Sequence, residues 1–175
     1  MCRGIRKKLL SLDLPQLSKP SILIEMTSDC NICQVVTKKA TLLATDHWVV
    51  NLAPDQGYLG RAYVTLREHK ANLSDLSDEE WVDYKNIVRR LENACKKSLG
   101  STLFNWSCLM NNAYQEKPYN AHVHWHFRPR YESPITLNDL VFEDPHFGFH
   151  YDREQRRTID DETFQAIIEK IKAHL

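Results

Sequence analysis

The segment Ala121-His122-Val123-His124-Trp125-His126-Phe127-Arg128-Pro129-Arg130-Tyr131 decides how the chain is read. In a strand, side chains two positions apart share a face and rise together by about 6.6 Å. His122, His124 and His126 therefore line one side, and Val123, Trp125 and Phe127 pack on the other. Three imidazoles in a row make a poor core, because each needs a hydrogen-bond partner. Imidazole is neutral and nucleophilic near neutral pH, donates a proton when charged, and ligates metals. Spacing alone leaves three readings open: a catalytic face, a plain metal-binding ridge and a solvent-exposed strand.

Outward from this strand, Thr41 to Leu52 is rich in β-branched and aromatic residues, broken at Thr45-Asp46, and predicts a hairpin or bent strand pair. Arg61 to Leu66 predicts the next strand after a turn with Pro54, Gly57 and Gly60. Ser77-Asp78-Glu79-Glu80 is a capping box that opens a helix. Trp81, Tyr84, Val88, Leu91 and Cys95 recur at helical spacing as one buried stripe, and Gly100 supplies the terminator. Alternation over Phe104 to Met110 predicts a strand with Phe104, Trp106, Cys108 and Met110 on one side. A closing helix carries Phe164, Ile167, Ile168 and Ile171 on one face. The expected fold is α+β, a mainly antiparallel sheet with two helices. Residues 1–20 form an arm, and residues 21–175 a single domain whose last part, from about 132, is a C-terminal extension.

Composition bounds the function. The chain has 175 residues, 42% hydrophobic and 26% charged, which suits one domain with a core and excludes extensive disorder. Basic and acidic residues balance at 23 each, so a globally basic nucleic-acid binder is disfavoured. No apolar run approaches the roughly 18 residues of a membrane helix. The first twenty residues lack the apolar stretch of a secretory signal, so a cytoplasmic location is expected. Five cysteines is an odd number and reads as thiols or metal ligands rather than a disulfide framework. Cys30-Asn31-Ile32-Cys33 is a CxxC, which by itself is a zinc pair, a redox pair or two small core residues. Cys95 and Cys108 read as core thiols.

The residues from His122 to Phe127 resemble the signature of the histidine triad family, alternating histidines with apolar residues near the end of the domain. Arg128 departs from it, standing where the family has an apolar residue. Pro129-Arg130-Tyr131 and the strand–Gly–strand pattern of residues 51–65 extend the match to roughly residues 28–131. The resemblance implies a histidine-triad-like fold in which one helix carries a homodimer face. It also implies cleavage of nucleotidyl phosphates or phosphoramidates through a covalent nucleotidyl-histidine. His124 would be the nucleophile, His126 a contact to the attacked phosphate, and His122 the third member. A zinc site would comprise Cys30, Cys33, His69 and His122, a closed tetrahedral set. Asn51 would meet the ribose and Asn111, or its neighbour Asn112, a phosphate; loop capping is the alternative for both. Where many members place Gly-Gln-Ser or Gly-Gln-Thr, this chain has Lys117-Pro118-Tyr119-Asn120, so Lys117 and Tyr119 become candidates for contacting the leaving group. The expected ligand is a purine nucleotide or dinucleoside polyphosphate. Phosphate could replace water as acceptor, and a zinc-stabilised nucleotide-binding module without catalysis is the competing class. The related uridylyltransferases are disfavoured, since they have Gln at the position of His126.

Overall fold

The computed structural model describes residues 30–35 and 38–175. The arm expected over residues 1–20 lies outside these. Strands β1 (Thr41–Ala44) and β2 (Trp48–Leu52) form the hairpin anticipated from residues 41–52. β3 (Ala62–Leu66), β4 (Leu103–Ser107) and β5 (His124–Arg130) complete an antiparallel sheet of order β1-β2-β3-β5-β4. β5 thus lies between β3 and β4, and its histidine face looks across to Tyr63 and Thr65.

Two boundaries differ from the alternation. β4 ends at Ser107, so Cys108 to Met110 leave the ladder, and Leu109 and Met110 line the site. β5 begins at His124 and runs to Arg130, so His122 and Val123 precede it. They are nevertheless fixed: the Val123 amide donates to the Lys70 carbonyl at 2.8 Å, and the Leu66 amide donates to the Val123 carbonyl at 3.1 Å.

Helix α1 (Asn31–Val35) is a short addition to the two expected helices. α2 (Asp78–Leu99) starts at the capping box, with Ser77 accepting from the Glu80 amide and Glu80 reaching back to the Ser77 amide at 2.7 Å. It ends at Gly100, whose φ of 68° is a left-handed conformation that a side chain would strain. The expected stripe is rotated. Ile87, Leu91, Ala94, Cys95 and Leu99 are buried, whereas Tyr84 and Val88 are half-buried and Trp81 is 38% exposed. The cause lies in the first turn. Glu80 faces inward, ion-paired to Lys70 at 2.8 Å, and its carbonyl accepts from the Trp48 indole at 2.9 Å. That turn therefore directs Glu80, rather than Trp81, inward.

A two-stranded ribbon, β6 (Ile135–Leu137) and β7 (Leu140–Phe142), follows β5. Its turn residues Asn138 and Asp139 both have positive φ, as a tight two-residue hairpin requires. Helix α3 (Asp161–Lys172) buries Ile167, Ile168 and Ile171 in the core that also holds Leu91, Leu99 and Phe127. The residues after 132 therefore complete the core as well as extending the chain.

Arg130, with no exposed surface, ties this last region to the sheet. Its Nε and Nη2 grip Asp144 at 2.5 and 2.9 Å, and its remaining donors reach Asn105, Phe149 and His146. Tyr131 donates its hydroxyl to the Leu59 carbonyl.

Candidate functional site

A cavity of about 970 Å³ opens over the histidine face of β5. His122, His124 and His126 form its floor with Tyr63 and Thr65 of β3 and Asn51 of β2. Pleat parity explains the set: odd residues of β3 and even residues of β5 point to this side, leaving Ala62, Val64, Leu66, Val123 and Phe127 for the core. Trp125, on the core-facing side, stacks on Tyr84 at 4.8 Å.

His124 is held in one orientation. Its Nδ1 lies 2.8 Å from the His122 carbonyl, which accepts only, so Nδ1 carries the proton and Nε2 keeps its lone pair. Burial lowers its pKa, and the bond to that carbonyl acts in the opposite direction. His126 sits beside it, with ring centroids 5.0 Å apart, and Tyr63 packs edge-on at 5.2 Å. Burial, the neighbouring His124 and the charges of Arg128 and Arg61 push the His126 pKa down to about 3. Its ring is neutral near pH 7, and a hydrogen bond with the Leu109 backbone acts in the opposite direction.

The structure brings Cys30, Cys33, His69 and His122 together, with one ligand atom from each lying within 4.8 Å of the others. The sulfurs of Cys30 and Cys33 stand 3.5 and 3.3 Å from His122 Nδ1, and Cys33 Sγ stands 3.7 Å from His69 Nδ1. Zinc–sulfur and zinc–nitrogen bonds of usual length give a tetrahedral S···N edge of about 3.6 Å. His122 also meets the second requirement of a ligand, since its Nε2 donates to the Leu66 carbonyl at 2.8 Å and leaves Nδ1 for the metal. Burial pushes its pKa down to about 4, the neutral form that ligation needs. Two thiolates and two imidazoles fit zinc.

The other sequence candidates separate. Asn51 is buried in the cavity wall, and its amide donates to the Thr41 hydroxyl at 3.2 Å. Lys117 and Pro118 line the far rim. Tyr119 stands outside the lining, 53% exposed, with its ring against Tyr114 at 5.1 Å. Asn111 faces a smaller neighbouring pocket, and Asn112 borders both. Cys95 is an inert core thiol, its pKa pushed up to about 12 by burial.

Tyr63, Thr65 and Arg61 went unassigned in the sequence. Their signal was present, since Arg61-Ala62-Tyr63-Val64-Thr65-Leu66 alternates as clearly as the histidine strand does.

The architecture recurs among solved structures. The chain has the histidine triad fold. A Hit-like protein involved in cell-cycle regulation from Bartonella henselae superposes with a TM-score of 0.56 at 19% identity, covering 78% of this chain and 86% of its own. Plasmodium falciparum diadenosine triphosphate hydrolase, solved with cyclomarin A, gives 0.54 at 18% identity, covering 79% and 77%. A zinc-bound histidine triad family protein from Mycobacterium smegmatis gives 0.50 at 15% identity, covering 77% and 84%. No family model and no curated protein matches the sequence. At these identities the histidine triad likeness is one of fold. No helix among the described residues is long and apolar enough to cross a membrane.

Proposed function

We propose that this chain is a histidine triad enzyme that binds a purine nucleotide and cleaves a phosphoanhydride or phosphoramidate bond through a nucleotidyl-histidine at His124. The observation that carries the reading is the 2.8 Å contact of His124 Nδ1 with the His122 carbonyl. It fixes the tautomer whose Nε2 lone pair is available to attack. Nε2 forms a bond to the α-phosphorus while the P–O or P–N bond to the leaving group breaks. The leaving group departs with the bonding electrons and takes a proton from water or from the Lys117 ammonium on the rim. Water then attacks the same phosphorus, the N–P bond breaks, and nucleotide is released with the water's proton passing to solvent. Neutral His126 donates its N–H to a phosphoryl oxygen, stabilising charge that grows in the transition state. Asn51 meets the ribose. Cys30, Cys33, His69 and His122 would hold zinc, which would supply a structural cross-link rather than a place for substrate.

Replacing His124 by Ala tests the reading. Turnover of a dinucleoside polyphosphate should fall by about three orders of magnitude or more, with nucleotide affinity changed far less. A variant that keeps a tenth of the activity contradicts the covalent route.

The enzyme works as a homodimer in this proposal. β4 is an edge strand, half-buried throughout, and Trp81 and Tyr84 of α2 leave aromatic surface uncovered beside it. Sedimentation at micromolar concentration should give twice the chain mass, and a single species of chain mass contradicts it.

A further inference from the structure

Beside the cavity lies a second pocket of about 200 Å³ that shares Leu109, Asn112 and His126 with it. Its other lining residues include four arginines, Arg61, Arg128, Arg153 and Arg156. Strand parity puts Arg128 there: it follows His124 and His126 at the next place on the same face of β5. The position that departs from the histidine triad signature is therefore the one that extends the catalytic ridge.

Two buried guanidinium donors in this pocket are unspent among the described residues. Arg128 is 8% exposed, and its Nη1 has no hydrogen-bond partner among the described residues. Arg61 Nε is buried in the same condition. Arg128 stacks on Tyr151 at 4.2 Å, and among the described residues it joins no ion pair. Burial and the nearby charge of Arg61 both press its pKa down, so the site resists its own charge. Acid is scarce. Asp152 is the carboxylate in the wall, and one of its oxygens accepts from the Glu154 amide. Asp55 is engaged by Arg61 outside the lining.

The pocket is also built, since the segment bearing Arg153 and Arg156 is pinned to the β2–β3 connection. The Gln56 amide donates to the Arg157 carbonyl at 2.9 Å, and the Arg157 amide to Asp55 at 3.0 Å. The Gln155 side chain donates to the Gly57 carbonyl at 2.8 Å, and the Asp152 amide to the Tyr58 hydroxyl at 2.8 Å. A Cβ at Gly57 would collide with the Gln155 carbonyl, so glycine is what permits this approach.

We propose that this arginine pocket binds a phosphate group beyond the phosphorus attacked by His124, and so selects leaving groups that end in phosphate. Guanidinium groups pair with phosphate oxygens through two parallel hydrogen bonds, and a multiply charged anion relieves the unpaired charge of Arg128. The place of this phosphate in the reaction rests on the nucleotidyl-transfer reading, whereas its binding chemistry does not. Free inorganic phosphate offers the same oxygens, and product analysis separates the two sources.

The test is calorimetric titration of the zinc-loaded full chain with inorganic pyrophosphate at about 0.15 M ionic strength. Arg128→Gln should weaken binding by at least about tenfold, and so should Arg153→Gln combined with Arg156→Gln at two exposed positions where folding is not at risk. No wild-type binding at millimolar pyrophosphate, or losses under about threefold in both variants, overturns the pocket whatever the enzyme cleaves. Pyrophosphate binding that depends on the arginines, in a chain that cleaves no nucleotide, upholds the phosphate site and removes nucleotidyl transfer instead. In turnover of a dinucleoside polyphosphate, added phosphate should inhibit while the products stay unchanged. Nucleoside diphosphate forming in proportion to added phosphate overturns the leaving-group assignment, because the phosphate is then the acceptor.

Discussion

The two ends of the row that runs from His122 to Arg128 contrast. At one end, His122 spends both ring nitrogens, on the Leu66 carbonyl and on the thiol–imidazole cluster with Cys30, Cys33 and His69. At the other end, Arg128 is also buried, yet leaves a donor without a partner among the described residues. Arg130, two residues on, shows what a structural arginine looks like in the same strand: every nitrogen is committed, two of them to a fully buried Asp144. Burial alone does not separate structure from function here. The state of the donors does. A buried polar group with all its partners stabilises the fold, and one without them costs about 1–3 kcal/mol until a ligand arrives.

The closed end can be broken by Cys33→Ser. Binding energy at a structural zinc site is folding energy, on the order of 10 kcal/mol in small zinc domains, and losing one of four ligands forfeits much of it. The variant should lose about one zinc per chain together with its cooperative unfolding transition. Wild-type protein purified without chelator and found free of zinc contradicts this end of the comparison. The open end should behave in the opposite way. Arg128→Gln removes an unpaired buried charge and should leave unfolding free energy within about 1 kcal/mol of wild type. A loss of 3 kcal/mol or more, about what breaking a buried ion pair costs, would make Arg128 a second Arg130.

Much of this was legible in the residues. The capping box of α2, the hairpin from Thr41 to Leu52 and the one-sided histidines each follow from local rules, and each stands where those rules put it. The cluster of two cysteines and two histidines was legible only through resemblance, because nothing in the spacing of Cys30, Cys33, His69 and His122 says that three separate segments converge. Local periodicity also misplaced the stripe of α2, since a tertiary pairing of Glu80 with Lys70 set which face turned inward. The arginine pocket was hidden for a related reason. Arg128 stood out as a departure, but Arg61, Arg153 and Arg156 reach it through the docking of residues 151–157 onto the β2–β3 connection. That contact spans almost a hundred residues of sequence. Lys117 and Tyr119, adjacent to the triad in sequence, were the natural candidates for reading the leaving group. Lys117 reaches the rim of the cavity, and the Tyr119 ring packs outside it.

The central claim is that His124, oriented by the His122 carbonyl, forms the covalent bond to phosphorus. Rapid quenching during turnover of a dinucleoside polyphosphate, followed by intact mass and peptide mapping, tests it directly. The account predicts an acid-labile nucleotidyl adduct on the peptide that contains His124, absent from His124→Ala. An adduct on His126 or on a lysine, or brisk turnover with no adduct at any quench time, would contradict it.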